Sequence, residues 1–330
     1  MGARKGQDGR GNGSGGQTQV DGDQPHPVLT ALTMTQADRL VRLAEAAVAK
    51  RGLPMRYDGV SALVPVGSDG EPLDNGMVAG LENLARTVAA LPRQQWRSAV
   101  AEHFDQLTSP AGPPPIPDDL ENELYLRLVC ASTIDPSWTE RVPEFVPGVI
   151  TVPATYVGRG VAMHFELDHL GLTPEDAHRM GLANLRRLRD DVEYVRHDGA
   201  EVAALGGSMF TASRALVLDT VLRESLQVEN PPFGCLVAMP DRRTLLVHVL
   251  RDQTVVTALD ILITLATNLF STRPGAVSPH VYYVTDHEWH QVTDFSSGQM
   301  QVRVAGPLAD TLQQLDVSRS TRLRSGRLSW

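Results

Sequence analysis

The chain has 330 residues, 42% hydrophobic and 21% charged, enough for one large domain or two ordinary ones with a sizeable core. A net charge of −9 argues against a whole-surface nucleic-acid binder, which needs excess positive charge to displace counterions from phosphates. The only two cysteines, Cys130 and Cys235, lie in apolar surroundings outside any CxxC, which removes the basis for a zinc ribbon and favours two reduced thiols over a disulfide.

In chain order, residues 1–30 read as a disordered tail, because Gly, Gln, Ser and Asp cannot bury enough surface to offset ordering entropy. They carry no apolar secretory region, so a cytoplasmic location is expected. An N-terminal α/β unit is expected over residues 31–107. Ala37, Leu40, Val41, Ala44, Ala47 and Val48 share one helical face, with Thr35 available as the cap and Gly52-x-Pro54 as the stop. Asp58-Gly59 marks a hairpin turn. A second helix is expected from about Gly76, through Leu81, Leu84, Val88 and Leu91. A third follows Pro92, with Trp96, Val100 and Phe104 as its stripe.

A proline-rich linker and helix are expected over 108–148, and within them residues 109–117, SPAGPPPIP, read as an extended linker. DDLENELYLRLVCAS then reads as a helix with acidic residues in its first turn, where the helix dipole favours them. Strands are expected at Val149–Val157 and Val161–Leu167, about the Gly158-Arg159-Gly160 turn. A helix capped by Thr173 with Pro174 at its first position follows. Further on come a helix over Phe210–Leu226 and strands at Gly234–Met239 and Thr244–Leu250. Val255–Phe270 is shorter than the roughly 20 residues that span a bilayer and contains Asp260 and Asn268, so it reads as a buried core helix, not a membrane span. A hairpin over His280–Thr285 and His290–Asp294, a strand at Gln301–Ala305 and a helix at Leu308–Leu315 close the order. Residues 317–330 form a basic tail carrying Arg319, Arg322, Arg324 and Arg327, either solvated or docking on an acidic partner.

The class is therefore α+β: two α/β units with mixed or antiparallel sheets packed by helices, the second over 149–316. GLENL (80–84) and GLANL (181–185) both read as helix openings and raise an internal duplication.

Four stretches in the second half, TVPATYV with VAMHFELDHLGLTPEDAHRMGLANLRRL, GGSMFTASRALVLD, LVAMPDRRTLLVHV and SPHVYYVTDHEWHQV, resemble in order and spacing the YtpQ-like family of uncharacterised bacterial proteins. The resemblance covers about 149–296 and, more loosely, 35–106. It implies an α+β cytoplasmic protein and carries over no catalytic residue. The family's usual arginine-aspartate order stands here as Asp241-Arg242.

Three groups of side chains invite chemistry, each with a simpler reading beside it. Asp286, His287 and His290, with Glu288, are the densest set of metal-ligand types, although HEWH is one residue short of HExxH; the simpler reading is an exposed hairpin turn. Asp241, Arg242 and Arg243, with His248 nearby, read as an anion-binding corner or as a polar turn set by Asp241. Arg186, Arg187 and Arg189 read as a phosphate or partner contact, or as cations favoured by a helix C-terminus. Ser208 in GGSMF lacks the second glycine of a nucleophile elbow. No phosphate loop, dinucleotide fingerprint or zinc motif is present, so no cofactor is expected. The sequence thus points to an interaction or regulatory protein, one that could sequester a partner protein in an immunity-like way. Nucleic acid is a poor fit. The alternative is a hydrolase, metal-assisted or not, near residues 280–290.

Overall fold

The computed structural model describes residues 24–67, 71, 79–107, 116–134, 136–139, 142–157, 160–295 and 301–315. The basic tail, most of the proline-rich linker and the tip of the 158–160 turn lie outside them. The chain divides between Ser109 and Pro110 into two compact units, both with helices and antiparallel sheet, an α+β fold.

In the first unit the residues from Gln24 on, within the expected tail, already pack. Leu29 and Leu32 are buried, and His26 Nδ1 accepts from the Val28 and Leu29 amides. Helix α1 (Met34–Lys50) is capped by Thr33 rather than Thr35. The Thr33 hydroxyl accepts from the Gln36 amide, and the Gln36 side chain accepts from the Thr33 amide, so two orphan donors are satisfied together. The hairpin β1 (Met55–Tyr57) and β2 (Ala62–Pro65) turns at Asp58, whose carboxylate accepts from the amides of Val60, Ser61 and Ala62. Strand β3 (Ala79–Gly80) joins β2, so helix α2 (Glu82–Ala89) starts later than expected. Helix α3 (Trp96–Leu107) buries its Trp96, Val100 and Phe104 stripe among Leu40, Ala44 and Val48 of α1.

The second unit opens on a strand where a helix is expected. After a single helical turn (Leu120–Glu123) the chain becomes strand β4 (Leu124–Cys130), not helix. Leu124, Leu126 and Leu128 are buried and alternate with half-buried Tyr125 and Arg127, the period of two that a strand requires. β4 pairs with β6 (Val149–Val157), which also pairs with β5 (Glu144–Val146) and β7 (Gly160–Met163). β4 therefore belongs to the second unit, and in the described part of the expected 108–148 connector strands β4 and β5 stand where a helix is expected. Helix α4 (Pro174–Arg187), capped by Thr173, packs against β4. At Gly181 the approach is so close that a Cβ would lie 2.6 Å from Leu126 Cγ and 2.9 Å from the Leu126 amide nitrogen. GLANL thus sits inside α4, whereas GLENL straddles the end of β3 and the start of α2. The two segments occupy different places, which removes the ground for a duplication.

Strands β8 (Asp191–His197) and β9 (Ala200–Gly206) form a hairpin that the sequence reading does not anticipate. The segment after it is helical as expected but irregular: 3-10 over Ala212–Val217, α over Leu218–Thr220 and π over Val221–Ser225. Strands β10 (Cys235–Ala238), β11 (Leu245–Val249), β12 (Val281–Thr285) and β13 (Glu288–Gln291) complete an antiparallel sheet of order β13-β12-β10-β11-β9-β8. On one face Leu205, Val237, Val247 and Tyr282 pack with the irregular helix. On the other, helix α5 (Val255–Thr272) covers Val202, Leu236, Leu246 and Tyr283. α5 is the one helix among the described residues long and apolar enough to cross a membrane by length and composition. It is only partly the buried core helix expected: Ala258, Leu259, Leu262 and Ala266 are buried, while Asp260, Thr264 and Asn268 are exposed. A two-stranded sheet, β14 (Thr293–Asp294) with β15 (Gln301–Val302), and helix α6 (Pro307–Gln314) complete the unit.

Candidate anion-binding corner

The turn between β10 and β11 is fixed by Asp241. Its buried carboxylate accepts from the Arg243 amide at 2.8 Å, which folds the bend and orients the next two side chains. Its second oxygen is buried with no partner. The Arg242 amide donates to the Gly275 carbonyl at 2.8 Å, and the Arg242 side chain lies flat on Gly275. A Cβ there would meet Arg242 Cδ at 2.5 Å and Nε at 3.0 Å, so only glycine leaves room for the arginine. Arg243, beside it, donates to the Gly207 carbonyl at 3.3 Å.

The third cation comes from the other sheet. Arg127 in β4 feels the charge of Arg242, and among the described residues neither guanidinium is within ion-pair distance of a carboxylate, although the Asp241 charge acts on Arg242. Burial lowers the Arg127 pKa to about 10, with the Arg242 charge adding to the effect. Arg242 is also lowered, first by burial and then by Arg243, against the opposing pull of Asp241. Its Nε is buried with no hydrogen-bond partner. A guanidinium in the field of a second one, with a buried donor left over on Arg242, favours a neighbouring anion. Beside them, the Tyr156 hydroxyl and the Ser208 hydroxyl share a 3.1 Å hydrogen bond. Tyr156 and Tyr125 pack on Phe210 with ring centroids at 5.1 and 4.5 Å, which fixes the half-exposed phenol at the rim.

Of the residues picked out by sequence, the structure keeps Arg242 and Arg243 in this corner and gives Asp241 the role of turn-setter. His248 is elsewhere. It lies about 16 Å along β11 by strand rise. It shares the α5 side with Leu246 and donates through Nδ1 to the Glu201 carbonyl at 2.7 Å. Arg127 and Tyr156 escape sequence reasoning, since nothing local links them to residue 242. The one signal for Arg127 is the alternation in β4, while Tyr156 lies near the end of the expected strand β6.

The other two groups do not assemble. Asp286 and His287 are the two central residues of a tight turn, both at positive φ (47° and 66°), and His290 lies on the strand beyond, its ring stacked near Tyr283. Among the described residues no three metal-ligand side chains converge. Arg187 donates to Asn184 and Asn122, and Arg189 pairs with Glu224 at 3.1 Å, so these two tether the end of α4; Arg186 is exposed beside them. Asp190, just after α4, makes a fully buried ion pair with Arg214 at 2.6 Å. Thr155, His164 and His169 form a hydrogen-bonded chain (2.9 and 3.0 Å), but Thr155 is fully buried and meets no substrate. No family model, curated protein or solved structure matches the chain.

Proposed function

We propose that this chain is a binding protein that captures a partner through an anionic group, a phosphate, sulfate or carboxylate, seated between Arg127 and Arg242. The observation that carries the reading is the pair of half-buried guanidinium groups from two different sheets, the Arg242 charge adding to the burial that lowers the Arg127 pKa, with neither of them in a carboxylate ion pair among the described residues. An arginine pair of this kind costs the free protein stability, and an anion bridging both recovers it through charge-assisted hydrogen bonds. Arg243 and the Ser208 hydroxyl supply further donors at the rim. A sequestering role against a basic partner would follow from the acidic composition, whereas an anionic group is drawn to a chain of net charge −9 only where arginines locally reverse the field, as at this corner. The proposal includes the YtpQ-like resemblance as its setting and takes no residue role from it.

The test is calorimetric titration with inorganic phosphate, sulfate and acetate at low ionic strength. Phosphate is expected to bind with a Kd of about 1 mM, and Arg127→Met or Arg242→Met to weaken it at least about tenfold, roughly 1.4 kcal/mol. Arg186→Met, on the surface of α4, is expected to leave it unchanged. Absence of binding by all three anions up to about 50 mM sinks the proposal.

A further inference from the structure

Strand β8 is the outer strand of the six-stranded sheet, and its whole length is accessible: five of its residues are exposed and Tyr194 retains 41% of its surface. Its hairpin with β9 turns through Asp198 and Gly199, both at positive φ (44° and 81°), a two-residue turn of the primed type. In that geometry the flanking pair His197–Ala200 exchanges both hydrogen bonds, and alternate pairs back along the strand do the same. The amides and carbonyls of Asp191, Glu193, Val195 and His197 therefore face β9. Those of Val192, Tyr194 and Arg196 face outward, with no strand among the described residues to receive them.

We infer that β8 is a self-association edge on which a second copy of this chain pairs antiparallel, with the two-fold axis at Tyr194. A perpendicular two-fold keeps the faces of the two sheets continuous, so only pairings that match residues of the same face are open to it. Centred on Tyr194, the pairing uses every outward group: Tyr194 meets the second copy's Tyr194, and Val192 meets Arg196 on either side, about six hydrogen bonds in all. The strand is acidic in its first half (Asp191, Glu193) and basic in its second (Arg196, His197), so reversal sets Asp191 opposite the second copy's His197. Centring one residue earlier, at Glu193, sets Glu193 against Glu193. Centring at Arg196 sets Arg196 against Arg196. Centring at Val195 uses only four outward residues, two from each strand. The charges that would blunt this edge against an arbitrary strand thus select one partner and one register. The sheet becomes twelve strands across the pair. This surface is separate from the arginine corner and does not depend on it.

The experiment is light scattering with size exclusion on the full chain, together with cysteine cross-linking. Wild type at about 20 µM and 0.15 M salt is expected to give twice the 35.9 kDa chain mass. Tyr194→Pro removes an outward N–H that β9 does not use, and is expected to give the single-chain mass with an unchanged circular-dichroism spectrum. In a Cys130→Ser background, Tyr194→Cys is expected to form a reducible dimer, since paired Cα atoms about 5.5 Å apart suit a disulfide, while Val195→Cys does not. A wild-type chain that stays at single mass over an about 100-fold range of concentration overturns the inference. So does cross-linking through Val195→Cys in place of Tyr194→Cys.

Discussion

Gly275 has φ +79° and its Cα supports the Arg242 side chain, so a single methyl there does two things at once. Gly275→Ala forces a left-handed alanine, costing about 1–2 kcal/mol, and drives Arg242 off its shelf. The expected result is a lowered urea midpoint with phosphate affinity reduced several-fold, read on the same protein by calorimetry. A loss of stability with full phosphate affinity would show that Arg242 is not held in place by this glycine. Arg214 poses a different residue-scale problem. Its side chain is fully buried, Asp190 and Ser225 take one nitrogen, and Nε and the other terminal nitrogen have no partner. Asp190→Ala strands that charge and is expected to cost about 3–5 kcal/mol. Adding Arg214→Met removes the stranded charge, and the double variant is expected to recover at least half of the loss in the same unfolding assay. Equal losses in the single and double variants would mean that the cost lies in packing, not charge.

At the scale of elements, the contact of α4 with β4 is decided by one hydrogen atom. A Cβ on Gly181 strikes the Leu126 amide nitrogen, a backbone atom that cannot rotate away, so helix and strand have to part. Gly181→Ala is expected to destabilise the second unit by at least about 2 kcal/mol, measured by urea unfolding; a neutral result would mean that α4 slides freely over the strand. This junction also marks where the sequence is readable and where it is not. α4 itself is legible because Thr173, Pro174 and the acidic first turn are local signals. β4 is not: its acidic leader, Asp118 to Glu123, does cap and begin a helix, but for one turn only, and the Leu124-Leu126-Leu128 alternation then outweighs the helix signal because those leucines face α4 and the neighbouring core. The β8–β9 hairpin is hidden although Asp198-Gly199 announces it, since Val192 and Val195 are too sparse on a solvent-facing edge to look like a strand. The corner follows the same rule. Arg242 and Arg243 stand out as a pair within one turn, while Arg127, 115 positions away, becomes visible only once β4 is a strand.

For the molecule as a whole, acid is the condition that tests the packing. In the second unit His164 is 2% exposed, accepts or donates to Thr155 through Nε2, and meets His169 through Nδ1. Burial lowers its pKa to about 4, with the neighbouring His169 adding to the effect. His248 and His280 are lowered too, chiefly by burial. An imidazole depressed in the fold binds its proton mainly when the chain unfolds, so its stabilising contribution is complete above about pH 6.5 and is lost as pH falls toward the folded value. For His164 alone the loss between about pH 7 and pH 5 is about 2 kcal/mol. The other two act in the same direction, so the whole unit is expected to weaken steeply across this window. Urea unfolding in a Trp96→Phe background, where no tryptophan remains in the first unit, isolates the transition of the second. His164→Gln keeps a donor and an acceptor without a titrating proton, and is expected to flatten the pH slope while lowering stability at neutral pH. An unchanged slope in that variant would assign the acid sensitivity to His248 and His280, on the α5 side of the larger sheet and at its β12 end, and not to the junction of β6 with the 164–169 turn.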